Sequence, residues 1–263
     1  MDWNTEILQP LFRWLHVVAG IMWIGHLYFF NFVNAHVAKT YDADSKKKVV
    51  PELMPRALYF FRWGAAWTWI TGFLLLGLVY YMSTGVTPKD NTVSSGMAMG
   101  VAVALIVVVF FIYDILWKAV KNETVGTVIS FILILAYLYG GAMIFSGRAL
   151  YIHLGSLFGT IMAMNVWMRI WPAQKKIIAG IKGTGPAPDA SVPAMAGLRS
   201  KHNTYMSVPL AFMMISNHYP TIYGEDLAWL YAAVMVLVGW ALTKWLYVKS
   251  GSPAPVSIGD KKA

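Results

Sequence analysis

MAMGVAVALIVVVFFIYDILWKAV, Met97 to Val120, is a run whose only charged residues are Asp114 and Lys118. At about 1.5 Å per residue a helix of this length crosses the roughly 30 Å hydrocarbon layer of a bilayer. The run lacks the apolar–polar alternation of a transmembrane barrel strand. Because hydrocarbon offers no water to open backbone groups, the remaining solution is a helix. Working outward, six further blocks read the same way: Pro10 to Asn34, Tyr59 to Met82, Val125 to Phe145, Ala149 to Trp171, His202 to Asn217 and Leu227 to Tyr247. The expectation is an all-α integral membrane protein, a bundle of about seven transmembrane helices.

The whole chain of 263 residues agrees with that reading. It is 58% hydrophobic and 13% charged, whereas soluble domains lie nearer half and a quarter. A soluble enzyme core is excluded. The sequence holds no cysteine, which excludes a disulfide, an iron–sulfur cluster, a thiolate zinc site and the thioether attachment of a c-type haem within these residues. The formal charge of +9 does not point to nucleic acid, because the Lys and Arg residues gather between apolar blocks, where membrane orientation accounts for them.

Orientation is read from that clustering. Lys39, Lys46, Lys47, Lys48 and Arg56 fall in the first connection, Lys118 and Lys121 in the third, and Lys175, Lys176, Lys182, Arg199 and Lys201 in the fifth. The alternate connections carry only Lys89 and Arg148 against Asp90, Glu225 and Asp226. The expected topology therefore has the N-terminus outside, the C-terminus cytoplasmic and the chain multi-pass in a bacterial inner membrane. The basic loops also suit anionic lipid headgroups. Residues 1–249 read as one transmembrane haem-binding domain, and the Pro/Ser/Gly-rich 250–263 as a disordered cytoplasmic tail. No cleavable signal is expected, since Met1 to Glu6 has neither a basic start nor a small-residue cleavage site.

Ionisable groups inside membrane segments are costly and mark function. Six histidines dominate here: His16, His26, His36, His153, His202 and His218. Imidazole is the usual axial ligand of non-covalent haem b, and helical bundles build such sites from facing helices. His16 falls roughly 9 Å, and His153 roughly 6 Å, below the outward starts of two helices that both run inward. They are level, so an outer haem held through iron by His16 and His153 is the favoured geometry, with His218 as a competing ligand or an edge residue. Arg13 and Arg148 are placed to meet haem propionates, for which the guanidinium fork is suited. His26 lies about 15 Å further along than His16. A second, inner set of His26 and His202 is conceivable, with one haem expected before two. Asn165, Arg169, Asn203 and Asp114 form an inner polar group. For each histidine the plain alternative is a hydrogen bond to a neighbouring helix, which is the leading reading for His36 and His202.

LFRWLHVVAGIMWIGHLYFFNFVNAHV (Leu11 to Val37), YIHLGSLFGTIMAMNVWMRIWPAQKK (Tyr151 to Lys176) and RSKHNTYMSVPLAFMMISNHYP (Arg199 to Pro220) resemble the membrane domain of the bacterial membrane-bound urate oxidase family. The likeness runs over nearly the whole chain, and HNTYMSVP and MISNHYP are its most specific phrases. It implies that His16, His26, His153, His202 and His218 match the family's motif histidines, and that the function is urate oxidation. Members join this domain to a C-terminal cytochrome c domain, whereas this sequence stops soon after Tyr247 with no Cys. Electrons would then leave to a separate cytochrome c or another redox partner on the outer face. The first helix is also faintly similar to the membrane haem-binding protoporphyrinogen oxidase family, through His16, Trp23, Gly25 and Tyr28.

Two classes of function are consistent with these residues. One is a membrane-bound haem b oxidoreductase acting on urate or a similar small molecule; the other is a non-catalytic haem-binding or anchoring subunit of a larger respiratory or redox complex. The topology is checked by reporter fusions after Gly183 and after Lys249. Both are expected to report cytoplasm, and an external signal from either overturns it.

Overall fold

The computed structural model describes residues 3–82, 86–87, 93–224 and 226–252. Lys89, Asp90, Glu225 and the expected tail from 253 onward lie outside the described residues. Among those described there are helices and connections, with no strand. Six helices are long and apolar enough to cross a membrane: α1 (Glu6–Val37), α2 (Ala43–Tyr81), α3 (Ser95–Ala119), α4 (Glu123–Ala142), α5 (Gly147–Lys182) and α8 (Ala228–Ser250). Between the last two come α6 (Ser191–Ser216) and the short α7 (Pro220–Tyr223).

The block expected over His202 to Asn217 is the second half of α6. At 26 residues this helix is long enough to span. Its mean hydropathy is low because Arg199, Asn203, Thr204, Ser207 and Ser216 are on it, and all of them are buried. Those groups meet protein rather than lipid, so the polarity that depresses the hydropathy is spent on neighbours.

Three helices reach well beyond their expected blocks. α2 starts 16 residues before Tyr59, where the Asp42 side chain accepts the Ser45 backbone N–H at 2.7 Å and caps the first turn. Hydrogen bonds from Ser45 also hold the Asp42 carboxyl below the ordinary carboxylate range. Pro51 and Pro55 sit inside this helix. The Lys47 carbonyl, which Pro51 deprives of its donor, belongs to an exposed residue that water can serve. α5 continues past Trp171 until Gly183, whose φ of 77° ends it in the left-handed conformation.

α5 is the axis of the bundle. In its most apolar stretch 78% of residues are buried, against 33% or less in the other spans. α1 lies at the edge, burying only Ala19, Trp23 and Leu27, a stripe at four-residue spacing that faces α2. That pair approaches closely because Gly64 leaves room: a Cβ there would stand 3.1 Å from the Trp23 backbone nitrogen. Gly72, two turns on, lies against the His16 ring, where a Cβ would come within 2.9 Å of Cε1. Gly239 on α8 accepts Pro209 of α6 in the same manner, 3.0 Å from its nitrogen.

The long helices are interrupted by π-helical turns at Phe29–Asn34, Gly77–Tyr81 and Val166–Ile170. Each widened turn re-aims a polar side chain toward a neighbour. Asn31 donates to Ser200 Oγ at 2.8 Å and accepts from the Tyr247 hydroxyl at 3.0 Å. The second turn carries Tyr80 and Tyr81, and the third carries Arg169.

Candidate functional site

Two polar clusters lie within the bundle, one around His153 and one around Asp114. Their α5 members, His153 and Arg169, are about 24 Å apart along the helix axis.

In the first cluster His153 is buried, at 2% exposure. Its Nδ1 donates to the Ala149 carbonyl at 2.7 Å, an acceptor that fixes the proton on that nitrogen. Nε2 then carries a lone pair and accepts from the Tyr81 hydroxyl at 2.9 Å. Phe145 stacks on the ring with centroids 5.0 Å apart and 9° between planes, while Tyr80 meets it edge-on at 6.0 Å. Arg148 lies over the Tyr80 ring at 5.3 Å and donates through Nε to Asn217 Oδ1 at 3.2 Å. Tyr80 donates to the same Asn217 oxygen. Arg13 is exposed, yet near enough to act electrostatically on the Tyr80 hydroxyl, as Arg148 does. The structure thus gathers Arg148 and His153 about Tyr80. His218 is exposed, and its predecessor Asn217 is the residue turned into the cluster.

His16 approaches from α1. The Thr71 hydroxyl donates to the Trp67 and Thr68 carbonyls at 2.6 and 3.2 Å, so its oxygen is an acceptor for His16 Nδ1–H at 3.1 Å. His16 therefore shares the tautomer of His153, with the lone pair on Nε2. It lines a cavity of about 150 Å³ together with Gly20, Trp23, Gly72, Gly155 and Gly159. His153 is not in that wall. His26 likewise directs Nδ1 to a carbonyl, Met22 at 2.7 Å, and its ring stacks on Phe60 at 6.0 Å. His36 meets Ser250 Oγ at 3.2 Å, the interhelical bond expected of it.

His202 has the opposite tautomer. Tyr113 receives a hydrogen bond from Asn165 Nδ2 at 3.0 Å and directs its own proton to His202 Nδ1 at 2.8 Å. The imidazole proton is then on Nε2. The inner pairing of His26 with His202 is not formed: His26 stacks on Phe60 of α2, while His202 packs against Trp117 of α3 with centroids 4.0 Å apart. The inner polar group foreseen from sequence is contiguous: Asn165 donates to Asn203 Oδ1 at 2.9 Å, and Asn203 donates to the Met162 carbonyl at 3.0 Å.

Asp114 closes this second cluster. Its carboxylate receives Arg169, Arg199 at 2.9 Å and Lys118 at 2.8 Å. Arg199 has a side chain only 3% exposed and lies over the Tyr113 ring at 4.7 Å. Thr71, Tyr80, Tyr81, Tyr113 and Asn217 were not singled out by the sequence. A hydroxyl or amide beside an apolar run gives no signal of its partner until another helix is placed against it. Among the described residues no group of three or more His, Asp or Glu could hold a metal ion.

These features define a multi-pass, all-α membrane protein with two buried polar clusters. The urate oxidase N-terminal family model matches residues 2–49 and 40–257, and the chain belongs to that family. No curated protein and no solved structure matches it.

The Asp114 cluster yields a stability prediction. Asp114→Ala leaves the Arg199 guanidinium buried without a carboxylate, a loss of about 3–5 kcal/mol. Thermal unfolding of the purified variant is expected to show a midpoint well below wild type, while Glu52→Ala, which breaks the exposed Glu52–Arg56 pair, is expected to change it little. Equal midpoints for Asp114→Ala and wild type contradict the assignment.

Proposed function

We propose that this chain is a haem b redox protein of the urate oxidase kind, oxidising urate or a similar small molecule and passing the electrons to a separate cytochrome c. In this reading seven helices cross the bacterial inner membrane, α6 among them, with the N-terminus outside. The basic residues of alternate connections support that orientation.

The observation that carries the proposal is the shared state of His16 and His153. Each pins Nδ1–H on an oxygen and leaves the lone pair on Nε2, the arrangement in which a hydrogen-bond acceptor behind the ring orients an iron-ligating imidazole. Two imidazoles with Nε2 lone pairs are the donor chemistry that haem iron takes, and Arg148 is already oriented for a carboxylate. When bound, haem b supplies a one-electron relay between the small molecule and an acceptor outside. Holding it requires movement of the protein. The Tyr81 hydroxyl must release His153 Nε2, and the cavity beside His16, at about 150 Å³, must widen beyond the roughly 300 Å³ lower bound of small-ligand pockets. The π turn that carries Tyr80 and Tyr81 is the segment on which that release depends.

Arg148 is held by Asn217 and Tyr80, so a carboxylate there would meet a guanidinium already oriented. In this orientation the connection before α8 carries Asp226, negative charge for a lysine-rich cytochrome surface. Such steering weakens as salt rises, with a screening length near 10 Å at about 0.1 M.

The test adds urate anaerobically to the oxidised, purified chain and tracks its absorption bands, then mixes the reduced protein with cytochrome c at several ionic strengths. Reduction by urate, and reoxidation that slows with salt, are expected. No response to urate together with co-purifying subunits replaces the proposal with the anchoring-subunit role.

A further inference from the structure

A larger cavity, of about 640 Å³, lies between α3 and α4 and is backed by α5, α6 and α8. Neither His16 nor His153 lines it. Its volume falls within the roughly 300–1,000 Å³ of pockets that enclose small ligands. Most of its wall is aliphatic, from residues such as Val101, Leu105 and Ile134. Ile112 of α3 and Leu133 of α4 belong to that wall and are also 47% and 44% exposed, so the cavity opens sideways between these two helices toward the surface that faces lipid.

We propose that this cavity binds a quinone-type lipid, a flat diketone ring on an isoprenoid tail, taken from the bilayer. One donor in the wall, on the imidazole of His202, has no acceptor among the described residues. His202 spends Nδ1 on the Tyr113 hydroxyl and keeps its proton on Nε2, for which no acceptor is present among those residues. A donor without an acceptor is unsatisfied in apolar surroundings, so the fitting ligand brings a neutral acceptor oxygen as well as apolar bulk. An acyl chain brings none. A porphyrin brings two carboxylates, yet the one cation in the described wall, Lys201, is already bound to Glu123 at 2.7 Å. The one imidazole there has its lone pair engaged by Tyr113. A quinone ring offers two uncharged carbonyl acceptors, and its tail matches the aliphatic wall and the lateral opening. The Trp117 ring beside His202 gives the head group a flat neighbour.

The probe is a ubiquinone analogue with a ten-carbon tail, added to the intact purified chain in nanodiscs while its thermal midpoint is recorded, since a ligand of the native state raises it saturably. A ring of the same shape and tail without carbonyls is the control. Wild type is expected to respond to the quinone and not to the control. His202→Phe is expected to raise the half-saturating concentration on the order of tenfold, the loss of one hydrogen bond. Gly140→Leu projects into open space, with nothing within 4 Å of a Cβ there, so it folds while filling the cavity and is expected to abolish the response. No saturable response in wild type overturns the proposal, as does equal binding of the control, which assigns the cavity to acyl chains. Haem lost on changing His202 overturns it too. None of these outcomes depends on His16 or His153, so this proposal and the haem assignment of the outer cluster fail separately.

Discussion

The carboxylate of Asp114 is the interaction on which the bundle depends. It is one buried acid surrounded by three cations from three helices: Lys118 on its own helix, Arg169 on α5 and Arg199 on α6. Burying a guanidinium such as that of Arg199 is unfavourable unless a carboxylate meets it. The pairing therefore fixes where α3 and α6 stand against the central α5. Everything beside it takes its register from that lock, including Tyr113, Asn165, Asn203 and His202. The large cavity begins where this polar layer stops, because α3 and α4 are held close at the Trp117–Gly126 contact and are separated by the cavity beyond it.

At the other end the same logic operates with neutral groups. Asn217 gathers Tyr80 and Arg148, and His153 gathers Tyr81, Phe145 and the Ala149 carbonyl. Both tyrosines come from one π turn of α2, and Arg169 comes from another in α5. An extra residue in a turn rotates the rest of the helix about its axis. These turns place side chains that an unbroken α-helix would direct elsewhere. Glycines set the complementary distances: Gly64 brings α1 onto α2, and Gly72 leaves room for the His16 ring against α2. The tautomers of His16 and His202 are consequences of this packing, whereas those of His26 and His153 are set by the carbonyl four residues back on their own helices.

The apolar cores of α3, α4 and α8 were legible because nearly every residue there faces lipid or a dry neighbour. Extents were less so. Lys46, Lys47 and Lys48, with Pro51 and Pro55 after them, read as a loop, although Asp42 caps a helix through them and water serves the carbonyl that Pro51 leaves open. α6 was legible as a helix through its second half, but its first half carries buried Arg199 and Asn203, whose polarity makes sense only once α3 and α5 surround it. The histidines stood out as ionisable groups in apolar runs, and Arg148 and His153 both border Tyr80. Their partners did not stand out. Choosing Asn217 over His218 requires an orientation finer than the roughly 100° that separates neighbours on a helix. Thr71 and Tyr81 reach the histidines only once α2 is placed against α1 and α5.

The central claim is that His16 and His153, held in one tautomer by different helices, are a pair of iron ligands. Its most direct measurement is the reduced-minus-oxidised absorption spectrum of the purified chain with haem quantified after acid–acetone extraction, for wild type and for His16→Ala, His153→Ala and His36→Ala. The account predicts haem that extracts completely, is lost or spectrally altered in the first two variants, and is unchanged in the third. Unaltered haem content and spectrum in both His16→Ala and His153→Ala would contradict it.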